Sequence, residues 1–257
     1  MADETILEVT GLSKHFGGIK ALNEVSLTLE KGSIVSMIGP NGAGKTTFVN
    51  AITGVHCPDE GSAHFEGRDV AGLPPHSIAA LGIGRTFQLE ELFSSMTVLE
   101  NAMVGCHTRS HKGMFATGFS LPRARREEQT IMEEALENLG LVGLREKALS
   151  PIKKLPLGER KLVGIARALG MKPKLLMLDE PAGGLAAHEI DELVHLIYDL
   201  AGKKITIFVI EHNMPFVMGL SQRIIVLNEG YKIAEGPPDE IKANNQVIKA
   251  YLGEEVS

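Results

Sequence analysis

Gly39-Pro40-Asn41-Gly42-Ala43-Gly44-Lys45-Thr46-Thr47 is the stretch that decides the fold, and it fits the phosphate-binding pattern G-x-x-x-x-G-K-[ST]. It follows the apolar run Ile34 to Ile38, which predicts a buried strand leading into the loop. The glycines let the backbone curl with its N–H groups pointing inward, and the helix expected from about Gly44 adds the positive end of its dipole. Strand, loop and helix therefore come in the order that a phosphate-binding loop requires.

Two side chains in this loop have the chemistry to bind the outer phosphates and a metal ion. Lys45 supplies a mobile cation, and Thr46 offers a hydroxyl oxygen of the kind that Mg²⁺ accepts beside phosphate oxygens. A plain glycine-rich turn before a helix is the alternative, and the order of the elements argues against it. The residues expected to bind a triphosphate here are Gly39, Asn41, Gly42, Ala43, Gly44, Lys45, Thr46 and Thr47.

The overall composition is that of an ordinary globular protein. The chain has 257 residues, 44% hydrophobic and 23% charged, which fits one domain with a subdomain. Its net charge of -6 argues against a broad nucleic-acid surface, because such surfaces usually carry a basic excess. No apolar run approaches the roughly 20 residues that span a bilayer, and the acidic residues 1–4 do not resemble a secretory signal. We therefore expect a cytosolic protein in which Cys57 and Cys106 are reduced thiols.

The pattern of apolar residues changes along the chain. The first third favours short strands, residues 89–160 favour helices, and the remainder alternates strands with helices. Such alternation is typical of an α/β protein whose parallel sheet is covered on both faces, and ligands then bind beyond the carboxyl ends of the strands. The expected strands include 6–10, 25–29, 34–38, 62–66, 83–88, 175–178, 205–210 and 223–227, and the expected helices include 44–53, 189–201 and 214–220.

Four polar residues lie where predicted strands end. Asp179 follows a four-residue apolar run and is placed to bind Mg²⁺ opposite Thr46. Its neighbour Glu180 has the chemistry of a general base for an attacking water. Gln88 and His212 would each be ordinary polar residues if considered alone. Together with the phosphate-binding loop, they become candidates for contact with the metal, the water and the terminal phosphate.

Several segments spread over nearly the whole chain form one recognisable set: Gly39 to Thr47, Gln88, Leu155 to Glu159 before Ile165-Ala166-Arg167-Ala168-Leu169, Leu175 to Pro181, and Glu211-His212. This set resembles the nucleotide-binding subunit of ABC transporters. A second set narrows the resemblance to the ATPase subunits of branched-chain amino acid importers: Phe16-Gly17-Gly18, Arg85-Thr86-Phe87-Gln88, Asp179-Glu180-Pro181-Ala182-Gly183-Gly184-Leu185, Glu211-His212-Asn213-Met214 and Ala234-Glu235-Gly236-Pro237.

The resemblance implies a fold and a division of the chain. The fold is α/β: a P-loop ABC ATPase with a mostly parallel core sheet, an N-terminal antiparallel β subdomain and a helical subdomain. Residues 1–257 form a single nucleotide-binding domain. Its parts are a RecA-like core with the β subdomain (1–88 and 161–236), a helical subdomain (89–160) and a C-terminal helical tail (237–257).

The resemblance also implies roles for single residues. Phe16 stacks on the adenine of ATP, although the residues alone favour a core aromatic at that position. Glu180 is the general base, His212 contacts the γ-phosphate, and Gln88 contacts the metal and connects the site to the membrane partner. In a head-to-tail dimer, a further stretch closes over the ATP held by the other copy, and its nucleotide-binding residues are Leu155, Gly158 and Glu159. A helix that starts near Gly158 would offer free N–H groups for that contact.

The resemblance implies that the partners are proteins and not nucleic acid. They are transmembrane permease subunits, a second ATPase subunit in a homodimer or heterodimer, and, indirectly, a periplasmic or extracellular solute-binding protein. ATP and Mg²⁺ are the implied cofactors. The implied location is the cytoplasmic face of the plasma membrane, where the chain is peripheral.

Two segments depart from the family's usual pattern, the signature loop and the loop that follows Asp179-Glu180. The signature loop usually reads Leu-Ser-Gly-Gly-Gln, and here Pro156 removes a hydroxyl and an N–H donor while Glu159 brings an anion near phosphate. We interpret this as a tuning of phosphate binding rather than its loss. Ala186 stands where Asp or Asn is usual, which puts in doubt any communication across the dimer through that side chain.

Other functions stay open at this point. A soluble ABC-type ATPase outside transport would predict coiled-coil insertions, basic patches or two cassettes, and a small-molecule kinase would lack the stretch 155–159 and the pair Asp179-Glu180. A GTPase would normally show an N-K-x-D run, which the sequence lacks. The helical part also contains two apolar groups. Ile131, Ala135, Leu136, Leu139 and Leu141 form a helix stripe. Met96, Val98, Leu99 and Met103 form either a groove for a helix of the permease or a stripe that packs in the core.

Overall fold

Two β-sheets organise the chain in the computed structural model, which describes residues 4–86, 92–107 and 122–252. The larger sheet has six strands in the order β10-β9-β3-β8-β7-β6, and the smaller has four in the order β2-β1-β4-β5. The strands are β1 (Thr5–Phe16), β2 (Ile19–Glu30), β3 (Ile34–Ile38), β4 (Glu60–Phe65), β5 (Arg68–Asp69), β6 (Ile83–Arg85), β7 (Leu175–Asp179), β8 (Thr206–Ile210), β9 (Arg223–Asn228) and β10 (Tyr231–Gly236).

Helices cover the larger sheet, and most of them lie between two strands along the chain. They are α1 (Lys45–Ile52), α2 (Pro75–Leu81), α3 (Val98–His107), α4 (Pro122–Leu141), α5 (Leu157–Leu169), α6 (Ala187–Gly202), α7 (Met214–Leu220), α8 (Pro238–Ala243) and α9 (Asn245–Leu252). Two single-turn 3₁₀ helices, Arg145–Lys147 and Ile152–Lys154, join α4 to α5.

The larger sheet is parallel except at one edge. Strands β9, β3, β8, β7 and β6 run parallel, and β10 pairs antiparallel with β9. Every residue of β3 and β8 is buried, as expected for strands that are covered on both faces. Successive side chains of β3 enter two different apolar cores, with Ile34 and Ile38 in one and Val35 and Met37 in the other, because side chains alternate across a strand.

The pairing register brings three strand ends to one edge of this sheet. Met37 of β3 lies opposite Ile210 of β8, and Ile210 in turn lies opposite Asp179 of β7. The segments that follow β3, β7 and β8 therefore begin at nearly the same level across the sheet, within one or two residues. This alignment is what makes a shared site possible.

The fold class predicted from the sequence is confirmed, but several elements were missed or misplaced. Strand β1 continues to Phe16, whereas the sequence indicated a strand only over 6–10. The pairing of β1 with β2 shifts register between Val9 and Leu12 and again between Leu12 and Lys14, so the apolar alternation that marks a strand is interrupted. Helix α2 and the edge strand β10 were not predicted, and β6 ends at Arg85 rather than at position 88.

One prediction about apolar side chains in the helical part was wrong. Leu141 is 42% exposed rather than part of the stripe that packs inward, because α4 ends there. Val98 is fully buried and Leu99 is 8% exposed, so for these two residues the core alternative holds and the groove does not. In the described part of the chain, no helix is long and apolar enough to cross a bilayer.

Candidate functional site

The phosphate-binding loop is shaped by glycines that touch neighbouring backbone. At Gly39 (φ 155°) a Cβ would lie 2.2 Å from the carbonyl oxygen of Leu227, and at Gly44 (φ 102°) it would lie 2.5 Å from that of Ala21. No other residue type fits these positions without a backbone shift. The loop is therefore held by β2 on one side and β9 on the other.

Lys45 begins α1 and folds back over the loop. Its ammonium donates to the carbonyl oxygens of Gly39 at 2.7 Å and Pro40 at 3.0 Å. Burial lowers the pKa of Lys45, and the negative charges of Glu180, Asp179 and Glu211 oppose that shift in this order of strength. Because three carboxylates outnumber the one buried ammonium, this edge suits a phosphate group only when the phosphate brings a metal cation with it.

Asp179 ends β7 with its carboxylate almost buried. Its Oδ2 accepts a hydrogen bond from a guanidinium nitrogen of Arg85 at 2.8 Å, and the other terminal nitrogen of Arg85 donates to Asn50 Oδ1 at 2.6 Å. The N–H of Asp179 donates to the hydroxyl of Thr86 at 3.1 Å. Arg85, at the end of the adjacent strand β6, therefore fixes the orientation of the carboxylate, while Thr86 holds the backbone of Asp179.

The donor set fits Mg²⁺ held jointly by protein and phosphate. Thr46 is an exposed residue in the first turn of α1, and Asp179 follows a strand of the same sheet. One hydroxyl and one carboxylate are the few oxygen ligands that a phosphate-bound Mg²⁺ takes from a protein.

Glu180 has an unusual backbone conformation that directs its side chain outward. Its φ of 47° lies in the left-handed region, which non-glycine residues adopt mainly where the surroundings enforce it. Its N–H donates to the carbonyl of Ile210 at 2.8 Å, and its carbonyl accepts from the Lys161 ammonium at 2.6 Å. The carboxylate itself is half exposed, as a group that activates a water must be.

His212 lies beside Glu180 at the end of the neighbouring strand. Its Nδ1 is 3.5 Å from Glu180 Oε1 and 3.6 Å from Glu211 Oε2. These distances exceed those of a good hydrogen bond, so the imidazole is close to both carboxylates without being tied to either. The structure thus brings Lys45, Asp179, Glu180 and His212 to one edge of the sheet, as the sequence predicted.

Comparison with known proteins decides the family. The model for ABC transporters matches residues 22–183, and the model for branched-chain amino acid ATP-binding cassette transporters matches residues 232–257. The chain belongs to the ABC transporter family. Two curated relatives are the high-affinity branched-chain amino acid transport ATP-binding proteins BraF of Pseudomonas aeruginosa (45% identical, covering 97% of this chain and 98% of the relative) and LivG of Salmonella typhimurium (44% identical, covering 98% and 99%).

Solved ABC transporter structures have the same fold. A nucleotide-free ATP-binding cassette from an ABC transporter is 34% identical, with a TM-score of 0.86 over 97% of this chain and 100% of that chain. A dimeric bacterial ABC transporter cassette is 26% identical, with a TM-score of 0.77 over 91% and 99%. The cassette fold predicted from the sequence is thereby confirmed, and the chain is an ABC transporter ATPase that binds ATP.

The signature stretch of this ABC transporter ATPase forms the start of α5. Leu155 is buried, Pro156 precedes the helix without a side-chain cap, and Gly158 packs against the carboxylate of Glu189. The Glu159 carboxylate pairs with Lys147 at 2.5 Å. The Glu159 carboxylate is therefore paired with a lysine of the same chain, which the sequence did not indicate.

Phe16 is 44% exposed at the end of β1. The core aromatic that the residues alone favoured is therefore wrong for this position. The ring meets His56 edge to face at a centroid distance of 5.2 Å, and the Lys14 ammonium lies 5.6 Å from its centroid. One side of the ring is thus supported while part of its surface stays open.

Other predicted positions are less informative. Asn41 and Gly42 are exposed in the loop, Ala43 is buried, and Thr47 is half-buried in α1. Ala186 precedes α6, and its N–H donates to the Glu189 carboxylate at 2.8 Å. Gln88 lies outside the described residues.

Sequence reasoning missed four side chains that support the site. Arg85 holds the carboxylate of Asp179, and Lys161 holds the backbone of Glu180. Glu211 lies buried between two loops. Tyr251 of α9 is half-buried near the Gly39 backbone; burial raises the pKa of its hydroxyl, and Gly39 opposes that shift. The position of Arg85 and Glu211 next to predicted functional residues was the only signal available.

Proposed function

We propose that this chain is the ATP-hydrolysing subunit of an importer for branched-chain or closely related amino acids. The observation that carries the proposal is the meeting of the phosphate-binding loop, Asp179, Glu180 and His212 at the carboxyl edge of one sheet. The named relatives transport branched-chain amino acids, and the C-terminal segment 232–257 matches a model specific to such transporters.

Each group at this edge has a part in hydrolysis. The loop and Lys45 bind the phosphates, and Phe16 stacks on the adenine. Glu180 accepts a proton from the water that attacks the γ-phosphorus, the bond from the γ-phosphorus to the ADP oxygen breaks, and ADP leaves. His212 contacts the γ-phosphate and stabilises its developing charge. Thr46 and Asp179 would hold Mg²⁺, which neutralises charge on the phosphates when bound. Gln88 would contact the same metal and connect the site to the permease.

Two copies, or this chain and a related ATPase, act head to tail. Leu155, Gly158 and Glu159 of one then lie over the ATP of the other, and the uncapped start of α5 supplies N–H groups to its phosphates. The pair docks on permease subunits at the cytoplasmic face of the membrane. Within each chain, residues 1–88 and 161–236 form the core, 89–160 the helical subdomain and 237–257 the tail.

Replacement of the general base gives the direct test. Glu180→Gln keeps the shape of the side chain but cannot accept the proton, so turnover should fall by roughly 10²- to 10⁴-fold while ATP still binds. Steady-state phosphate release and calorimetric ATP titration measure the two quantities. Unchanged turnover in Glu180→Gln would remove this residue from the base role.

The transport role is tested separately. Tagged chain is purified from membranes of cells that express it, and its partners are identified by mass spectrometry. We expect permease subunits and a second ATPase chain. Recovery of the chain without any membrane protein, together with intact ATP hydrolysis, would favour the soluble ATPase that acts outside transport.

A further inference from the structure

Glu211 is a fully buried acidic residue. Its side chain is 0% exposed, and it is the only acidic residue among the buried residues of the described part of the chain. A carboxylate in such a position is costly unless hydrogen bonds or charges compensate it. Its partners therefore indicate why the chain places it there.

Three backbone N–H groups compensate this carboxylate. Oε1 accepts from the N–H of Ala182 at 2.9 Å, and Oε2 accepts from the N–H groups of His212 at 2.7 Å and Asn213 at 2.9 Å. Hydrogen bonds to an ionised acceptor are about twice as strong as neutral ones. Both oxygens of Glu211 are thus used, one for each of two different loops.

The two loops carry the two groups expected to act on the γ-phosphate. Ala182 is two residues after Glu180 in the loop that follows β7, and His212 lies in the loop that follows β8. The backbone of Glu211 adds a third connection, because its N–H donates to the carbonyl of Met37 at 3.2 Å, two residues before Gly39. One residue therefore connects the strand ends that lead to the phosphate-binding loop, the base and the histidine.

Lys161 of α5 holds the loop after β7 from the side opposite Glu211. Burial lowers the pKa of Lys161, and the charges of Glu211 and Glu180 oppose that shift, Glu211 more strongly. The same Lys161 ammonium holds the carbonyl oxygens of Glu180 and Pro181. Carboxylate and ammonium thus hold the loop after β7 from two sides.

We propose that Glu211 is a positioning residue for ATP hydrolysis, which holds the loop of Glu180 and the loop of His212 at a fixed separation through its two carboxylate oxygens. The inference rests on the proposed roles of Glu180 and His212. A neutral amide at this position has a single acceptor oxygen, so it can serve only one loop and turns N–H donors toward the other. A misplacement of about 1 Å at a reacting group can cost roughly 100-fold in rate.

The test compares Glu211→Gln with wild type in four measurements. We expect kcat for ATP hydrolysis to fall by roughly 10- to 100-fold, with the Kd for ATP within about threefold, because Lys45 and the loop are untouched. Amide hydrogen exchange should accelerate at Ala182, or at His212 and Asn213, according to which loop loses its acceptor oxygen. The fourth measurement is a double variant: when Glu180 is already Gln, the further change at Glu211 should alter kcat little, since both act on one step.

The control is Glu137→Gln, which removes the same charge from an exposed position on α4 and should leave all four measurements unchanged. If Glu211→Gln does not fold, Glu211→Asp keeps the charge but is one methylene shorter and cannot reach both loops, so the same losses are expected. Wild-type kcat in either folded variant, or fully additive losses with Glu180→Gln, would overturn the proposal. Absence of hydrolysis by the wild-type protein would instead count against the proposed function.

Discussion

The carboxyl edge of the six-stranded sheet and the start of α5 are built in opposite ways. At the sheet edge, charged groups are matched within the chain: Asp179 by Arg85, and Glu211 by three backbone N–H groups. At the start of α5, Pro156 supplies no side-chain cap, and the first turn of a helix leaves N–H groups without intrahelical partners. The first region is preorganised by its own chain, whereas the second is suited to an anion from outside.

Two departures in the signature stretch, Pro156 and Glu159, lie in this second region. The Glu159 carboxylate pairs with Lys147, which reduces the repulsion that an approaching anion would meet. Pro fits the position before a helix because its φ suits that turn and its missing N–H removes no helix bond. Its cost is the lost hydroxyl and one N–H donor that could have faced the anion.

Of the substitutions that compare the two regions, we expect the largest effect when the sheet edge loses the ammonium of Lys45. Lys45→Ala removes a charged donor for the phosphates, and hydrogen bonds to charged groups contribute about 1.5–3 kcal/mol. ATP affinity measured by calorimetry should therefore fall by roughly 10- to 100-fold. Lys203→Ala, an exposed lysine after α6, is the control. Equal affinity in the two variants would mean that the loop does not bind phosphate through Lys45.

An intermediate effect is expected at the residue that orients Asp179. Arg85→Met leaves the carboxylate without its guanidinium partner, and loss of such a supporting contact typically weakens metal binding by roughly 10-fold or more. The Mn²⁺ concentration needed for half-saturation of the ATP-bound protein, followed by electron paramagnetic resonance, should rise accordingly. Tighter Mn²⁺ binding would show that Arg85 competes with the metal instead of preparing its ligand.

The smallest effect is expected at the start of α5. Pro156→Ser adds a side-chain cap, which contributes about 1 kcal/mol to a helix, and it restores the family's usual hydroxyl. Hydrolysis at limiting ATP should rise by roughly two- to fivefold. A rate equal to that of the wild type would mean that another group already fulfils this role, so the start of α5 would not lack a cap.

The sequence predicted the elements that local patterns determine. The loop motif placed Lys45, and the alternation of strands and helices placed Asp179 and His212 at the same edge, because parallel strands share the direction of their carboxyl ends. The long hairpin of β1 and β2 escaped prediction since its register shifts interrupt the alternation.

Contacts that depend on strand order could not be predicted in the same way. Arg85 reaches Asp179 only because β6 pairs with β7, although 94 positions separate the two residues. The contacts of Glu211 could be predicted only from the order of the strands, because its carboxylate joins the loops that follow the neighbouring strands β7 and β8. The pairing of Glu159 with Lys147 likewise depends on how the 3₁₀ helices turn the chain before α5.

Sedimentation of the Glu180→Gln variant tests most directly the claim that one chain holds ATP and another completes its site. This variant binds ATP without hydrolysing it, so the closed pair should accumulate. We expect a monomer without nucleotide and a dimer at saturating ATP and Mg²⁺, with the dimer absent when Lys45→Ala is added. A variant that stays monomeric with ATP fully bound, both alone and mixed with the second ATPase chain recovered from membranes, would contradict the claim.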